Sequence, residues 1–219
     1  IYETGSNVSW DEHTCNSAEN SSQIVITGGG TFVVNNGGFI QIKDGGKLII
    51  GDNTTLSFES DISPLILRTG SQFIMGNNSK IQFKNGAFIW AVGSTFTCPN
   101  GSWQGITFEN STNDTVRNCT FSNASKFLDF DLDSSSSGTP KIIEGNTFNN
   151  GTVKLLDPVN LQFNNNTFNC SSISGTPSLL EVTHNLSSLP SSPVFPAVVG
   201  VLTNDIATKH YLVIATSIV

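Results

Sequence analysis

Ile40-Gln41-Ile42-Lys43-Asp44-Gly45-Gly46-Lys47-Leu48-Ile49-Ile50-Gly51-Asp52-Asn53-Thr54-Thr55-Leu56-Ser57-Phe58 beats one rhythm three times: apolar, any residue, apolar, then a turn. The rhythm extends in both directions at about eight residues per beat. Its apolar pairs are Ile24/Ile26, Phe32/Val34, Ile40/Ile42, Leu48/Ile50, Leu56/Phe58, Leu65/Leu67, Phe73/Met75, Ile81/Phe83, Ile89/Ala91 and Phe96/Cys98. Each pair is strand alternation, with two side chains on one face and one between them on the other. Between pairs stand Gly28-Gly29-Gly30, Asn35-Asn36-Gly37-Gly38, Gly76-Asn77-Asn78 and Asn85-Gly86, residues that tolerate the left-handed backbone of tight turns.

Hairpins and solenoids both use short strands, and the count of three separates them. Every third pair falls on the same beat: Ile40, Leu65 and Ile89 are 24 to 25 residues apart, as are Leu48 and Phe73, and Leu56 and Ile81. That spacing predicts coils of three short strands, stacked so that the inward residues form one core. The expected fold is all-β: a right-handed parallel β-helix of about seven to eight coils between Gln23 and Leu180. Beyond Cys98 a longer phrase takes over, with Phe96, Phe121, Phe148 and Phe168 each followed or preceded by Asn or Thr. These phenylalanines are expected to stack as an interior ladder, with asparagines laddering at the turns.

The stretch Ser102-Trp103-Gln104-Gly105-Ile106-Thr107-Phe108-Glu109-Asn110, followed by Val116-Arg117-Asn118-Cys119-Thr120-Phe121-Ser122-Asn123, resembles secreted right-handed β-helix proteins of the pectate-lyase-like superfamily. Gly46-Lys47-Leu48-Ile49-Ile50-Gly51-Asp52-Asn53 is similar to the same group. The resemblance covers about residues 23 to 172. It implies the fold, and a surface or adhesin type rather than an enzyme; fold alone does not fix activity.

Four segments are expected: an N-terminal cap over residues 1–22, the β-helix over 23–186, a Ser/Pro linker over 187–196 and a strand or hairpin extension over 197–219. The cap is expected because an open solenoid end exposes unpaired strand edges. The apolar runs Ala197 to Leu202 and Tyr211 to Val219 do not keep the eight-residue beat. They read as a hairpin covering the last coil, or as a strand that adds to a neighbouring subunit.

The net charge is −7 and only 12% of residues are charged. With no basic patch, nucleic-acid binding is not expected. No apolar run reaches the ~18 residues of a spanning helix, so membrane insertion is not expected either. The first residue, Ile1, suggests a processed or excised chain.

Thirteen asparagines begin N-x-[ST], against about five expected by chance. Asn7, Asn20, Asn53, Asn77, Asn100, Asn110, Asn113, Asn123, Asn150, Asn169 and Asn185 are candidate N-glycan sites. Asn118 and Asn165 flank the Phe ladder and are expected to be too buried to modify. Abundant sequons point to a secreted, cell-surface location. Cys15, Cys98, Cys119 and Cys170 read either as buried apolar residues or as disulfide candidates in such a compartment.

The candidate chemistry lies in Phe127-Leu128-Asp129-Phe130-Asp131-Leu132-Asp133. Alternation places Leu128, Phe130 and Leu132 inward and Asp129, Asp131 and Asp133 outward on one face, with successive carboxylates ~6–7 Å apart. Such a row suits a calcium site or paired glycosidase carboxylates, with Arg117, Lys126 and Lys141 as nearby basic residues; otherwise no cofactor is expected. Trp90 and Trp103 are candidate sugar-stacking residues. A regular outward T-x-T array of the kind that binds ice is not expected from Thr54, Thr95 and Thr107. The composite expectation is an extracellular structural glycoprotein, a subunit of a fibre, sheath or adhesin that associates with itself or with another surface protein. The alternatives are a polysaccharide lyase or glycoside hydrolase using the aspartates, and a non-catalytic glycan-binding module.

Overall fold

A computed structural model describes residues 22–43, 45–130, 141–153, 162 and 164–167 with their side chains. It describes strand backbone alone at 2–3, 8–10, 15–18, 154, 161, 163, 168–174, 181–184, 199–204 and 209–214. Three short strands come first: β1 (Tyr2–Glu3), β2 (Val8–Trp10) and β3 (Cys15–Ala18). Five complete coils follow, at three strands each. The first holds β4 (Gln23–Thr27), β5 (Thr31–Val34) and β6 (Phe39–Ile42), and the second β7 (Lys47–Ile50), β8 (Thr55–Phe58) and β9 (Leu65–Leu67). The third holds β10 (Gln72–Met75), β11 (Lys80–Lys84) and β12 (Ile89–Val92), and the fourth β13 (Thr95–Thr97), β14 (Gly105–Glu109) and β15 (Thr115–Arg117). The fifth holds β16 (Thr120–Ser122), β17 (Leu128–Asp129) and β18 (Lys141–Glu144).

Each strand pairs in parallel with its counterpart one coil on, which makes three ladders. Ile40 pairs with Leu65 and Leu65 with Ile89; Leu48 pairs with Phe73, and Leu56 with Ile81. The fold is therefore the expected parallel β-solenoid, in the expected register. Its five complete coils are fewer than the seven to eight expected. Strand backbone extends the ladders at both ends. β1, β2 and β3 pair with β4, β5 and β6, so these N-terminal strands repeat the coil pattern. Later, β19 (Thr147–Lys154) pairs with β16 through its first half and with β17 through its second. β20 (Leu161–Ser174) likewise pairs with β18 and then with β19. β21 (Glu181–His184) stacks on β20, and β22 (Val199–Asn204) stacks in parallel on β21. β23 (Lys209–Ile214) reverses direction and pairs antiparallel with β22.

All ten apolar pairs of the sequence are buried. Two aromatic columns run through the interior. One carries Phe73, Phe96, Phe121 and Phe148, with neighbouring ring centroids 5.4, 4.5 and 5.1 Å apart. The other carries Phe58, Phe83, Phe108 and Phe130, at 5.0, 5.8 and 4.4 Å. The strand-to-strand spacing of a parallel ladder is ~4.7–4.9 Å, so rings in one column meet at offset-stacking distance. Burying each ring is worth ~1.5–3 kcal/mol before stacking is added.

The corners explain the abundance of asparagine. Asn53, Asn78, Asn85, Asn113, Asn118 and Asn165 all have φ between 53° and 59°, in the left-handed region. After Asn53, Asn78, Asn113, Asn118 and Asn165 comes a buried residue, in turn Thr54, Ser79, Asp114, Cys119 and Asn166, and then an outward strand residue. Asn bears this φ at lower cost than other non-glycine residues because its short amide bonds locally.

Candidate functional site

The acidic strand is the first place to look. Asp129 keeps the expected outward parity, since Leu128 pairs with Ile106 and Phe130 stacks on Phe108. It is nevertheless only 8% exposed, and its Oδ2 accepts a 2.8 Å hydrogen bond from Lys126 Nζ. An aspartate so covered and so paired is not a solvated carboxylate, which corrects the open outward position expected for it. Asp131 and Asp133 lie outside the described residues. Among the described residues no group of three His, Cys, Asp or Glu side chains could hold a metal.

The two tryptophans separate. Trp103 is fully buried, with its ring 6.3 Å from that of Phe96 and its Nε1 donating to the Ser122 carbonyl at 3.1 Å. It is a core residue, which corrects its candidacy for sugar stacking. Its backbone is held by a parallel bridge to Ala124, with its amide donating to the Asn123 carbonyl at 3.1 Å and its carbonyl accepting the Ser125 amide at 2.9 Å; two residues on, Gly105, at φ 102°, passes so close to the next coil that a Cβ there would lie 1.3 Å from the Lys126 carbonyl oxygen. Trp90 is partly exposed on the outer face of β12, but the Arg68 guanidinium sits 4.2 Å from its ring centroid. That cation–π contact occupies the ring face a sugar would need.

Cys98 and Cys119 are buried free thiols, so the structure gives neither of them a disulfide. The Cys119 thiol donates to the Arg117 carbonyl at 3.2 Å, and burial pushes its pKa up to about 11. Burial also raises Cys98. The side chains of Cys15 and Cys170 lie outside the described residues.

Nine sequon asparagines have described side chains: Asn53, Asn77, Asn100, Asn110, Asn113, Asn118, Asn123, Asn150 and Asn165. Seven of these, all but Asn77 and Asn100, have φ between 53° and 60°. A corner that demands the left-handed region, followed two residues later by an outward strand Thr in Thr55, Thr115, Thr120 and Thr167, reproduces N-x-T without any glycan. Asn118 is exposed, contrary to the burial expected for it, and Asn165 is half-buried. Asn77 is tied into its corner: its Oδ1 accepts from the Ser102 amide at 3.2 Å and its Nδ2 donates to the Asn100 carbonyl. Asn123 Nδ2 donates to the Cys98 carbonyl at 3.0 Å. Asn7, Asn20 and Asn185 lie outside the described residues, and Asn169 is described only as backbone in β20.

Outward residues of the first ladder form an array that the sequence reading passed over. Thr95, Thr120, Thr147 and Thr167 are in register, and beside them run Thr97, Ser122, Asn149 and Asn169. A file of threonine side chains therefore crosses four strands of one face, and a second file of short polar side chains, Thr97, Ser122 and Asn149, crosses three.

The most unusual chemistry is inside. The inward column Ile40, Leu65, Ile89 continues as Asp114 and then Lys141, because Trp90 pairs with Thr115 and Thr115 with Ile142. Asp114 is fully buried and Lys141 is 2% exposed. Lys141 Nζ lies 3.1 Å from Asp114 Oδ2 and 3.0 Å from Ser111 Oγ, and it also donates to the Ser111 carbonyl. Ser111 Oγ is 2.6 Å from Asp114 Oδ2, while Asp114 Oδ1 accepts the Ile89 amide at 3.0 Å. Burial raises the Asp114 carboxyl above its ordinary range, against the opposing pull of Lys141 and the hydrogen-bond donors. Removing two charges from water costs several kcal/mol each, so such a pair is tolerated only when every polar atom is satisfied. The sequence singles out Lys141 only as a basic residue near the aspartate row, and Asp114 not at all. Counting one more beat of 25 and then 27 residues from Ile89 would have found both. Searches of family models, of curated proteins and of solved structures found no match to this chain.

Proposed function

We propose that this chain is an extracellular structural element, a stiff β-solenoid segment of a cell-surface fibre, sheath or adhesin akin to the non-enzymatic pectate-lyase-like type. The observation that carries this reading is the continuity of the interior. Buried columns of mostly apolar residues pass through five coils, with aromatic rings in register over four successive rungs in each of two columns, so each coil rests on the next and the assembly resists bending. The outer corners at Asn53, Asn100, Asn110, Asn113, Asn118 and Asn150 are exposed and could carry N-glycans. β22 and β23 pair antiparallel, and a strand of this hairpin is the route by which copies would add to one another. Calcium or catalysis at Asp129, Asp131 and Asp133 is the weaker reading, because Asp129 is spent on Lys126.

Electron microscopy of native material tests the proposal. Filaments or surface-attached rods are expected; dispersed single chains at native concentration overturn it. Deleting residues 197–219 is expected to abolish assembly, and normal polymers from the truncated chain refute strand addition through that segment.

A further inference from the structure

We propose that Lys141 and Asp114 become joined by an intramolecular amide, a covalent rung between the fourth and fifth coils formed by the chain itself. The reasoning begins with position. The two groups come from residues 27 apart, yet Nζ stands 3.1 Å from Oδ2 inside a core that excludes water. Groups held in contact by the fold react as if at high effective concentration, because the entropy of bringing them together is already spent.

Burial also selects the reactive forms. Transferring one proton within the pair turns ammonium and carboxylate into amine and carboxylic acid, and a dry interior favours the neutral couple. The raised Asp114 carboxyl points the same way.

The two carboxyl oxygens have different surroundings, and these assign their fates. Oδ1 accepts the Ile89 amide, which holds it as the carbonyl oxygen and polarises Cγ. Oδ2 touches both Nζ and Ser111 Oγ, which makes it the leaving oxygen. Nζ attacks Cγ, the Nζ–Cγ bond forms and the Cγ–Oδ2 bond breaks. Ser111 takes a proton from Nζ and passes its own to Oδ2, so the hydroxyl is regenerated and one water departs. Nothing is oxidised or reduced.

The product fits the same shell. The amide oxygen keeps the Ile89 donor, the remaining Nζ–H keeps the Ser111 carbonyl, and two buried charges disappear. This bond is independent of the fibre reading: mass reports the bond, and microscopy reports the fibre.

The test is an intact-mass measurement and peptide map of the full chain, made in a host without N-glycosylation. A mass one water below the sequence value is expected, together with a branched peptide linking Lys141 to Asp114. The full sequence mass overturns the proposal, as does a water loss mapping elsewhere, for instance to a succinimide at Asp44-Gly45. Asp114→Ala and Lys141→Arg should each restore the full mass. Ser111→Ala should close at least tenfold more slowly after refolding, and closure at the wild-type rate overturns the assigned relay.

Discussion

Phe96 is the sharpest probe of whether the aromatic columns stabilise the rod by stacking or only by filling space. Its ring lies 5.4 Å from Phe73, 4.5 Å from Phe121 and 6.3 Å from Trp103, and the residue is fully buried. Truncation to alanine removes the whole ring and leaves a cavity, at a cost of ~3–5 kcal/mol. Phe96→Leu keeps most of the apolar volume, so its shape term is below ~1.5 kcal/mol. It also loses three ring contacts worth ~0.5–1.5 kcal/mol each. The lost contacts alone come to ~1.5–4.5 kcal/mol, so leucine should cost at least ~1.5 kcal/mol and approach the alanine value, an unusually large penalty for one apolar residue replacing another. Ile81→Leu, in an aliphatic column of the neighbouring coil, is the control and should cost less than ~1.5 kcal/mol. Equilibrium urea unfolding followed by tryptophan fluorescence measures all three, with Trp103 as a reporter beside the site. If Phe96→Leu falls within ~1 kcal/mol of the parent chain, the stacking argument fails and the columns are merely hydrophobic fill.

Other outcomes follow from the corners and the thiols. Asn85, exposed at φ 53°, should tolerate glycine, whereas Asn85→Ala should destabilise by ~1–2 kcal/mol in the same urea assay. Gly105→Ala should cost more than ~3 kcal/mol or prevent folding, because the added methyl meets backbone on both geometric and conformational grounds; circular dichroism on expression decides it. Cys98 and Cys119 should resist alkylation in the native chain and react on denaturation, read as added mass. Cys119 also carries a pH signature. Its folded pKa, about 11, lies above the ordinary thiol value of 9.0, so from pH 9 upward the unfolded thiol ionises first. Stability should then fall by up to ~1.4 kcal/mol per pH unit, a slope absent in Cys119→Ala.

The coil was legible because alternation and repeat length are both printed directly in the sequence. Ile40, Leu65 and Ile89 announce a shared column by identity as well as spacing, and the structure puts them in one. The second aromatic column was equally printed, in Phe58, Phe83 and Phe108 at 25-residue steps, but the Phe-Asn phrase drew attention to the first. Trp103 was harder, since it is held by a bridge to Ala124 one coil on that no local pattern signals. Asp114 and Lys141 were hardest: a charged residue between Asn113 and Thr115, and another directly after the Ser-rich run and Pro140, look like turn surface. Only the beat, carried past the point where apolar residues stop keeping it, places them inside. The sequons misled for a related reason, because one backbone requirement writes the same letters as a modification signal.

The buried pair has a consequence for how the chain finds its register. A solenoid of similar coils invites a slip by one whole coil, since apolar columns of Ile, Leu and Phe accept one another at every step. Asp114 and Lys141 are not interchangeable with such neighbours. Shift the upper coils by one rung and each charge faces an aliphatic side chain, uncompensated and away from water, at a cost of ~3–5 kcal/mol. Asn146 and Asn166, joined by a 3.0 Å amide contact in an adjoining inner corner, add a second non-transferable match. The polar minority of the interior thus acts as an address, marking which coil belongs on which in a structure whose apolar majority cannot tell them apart.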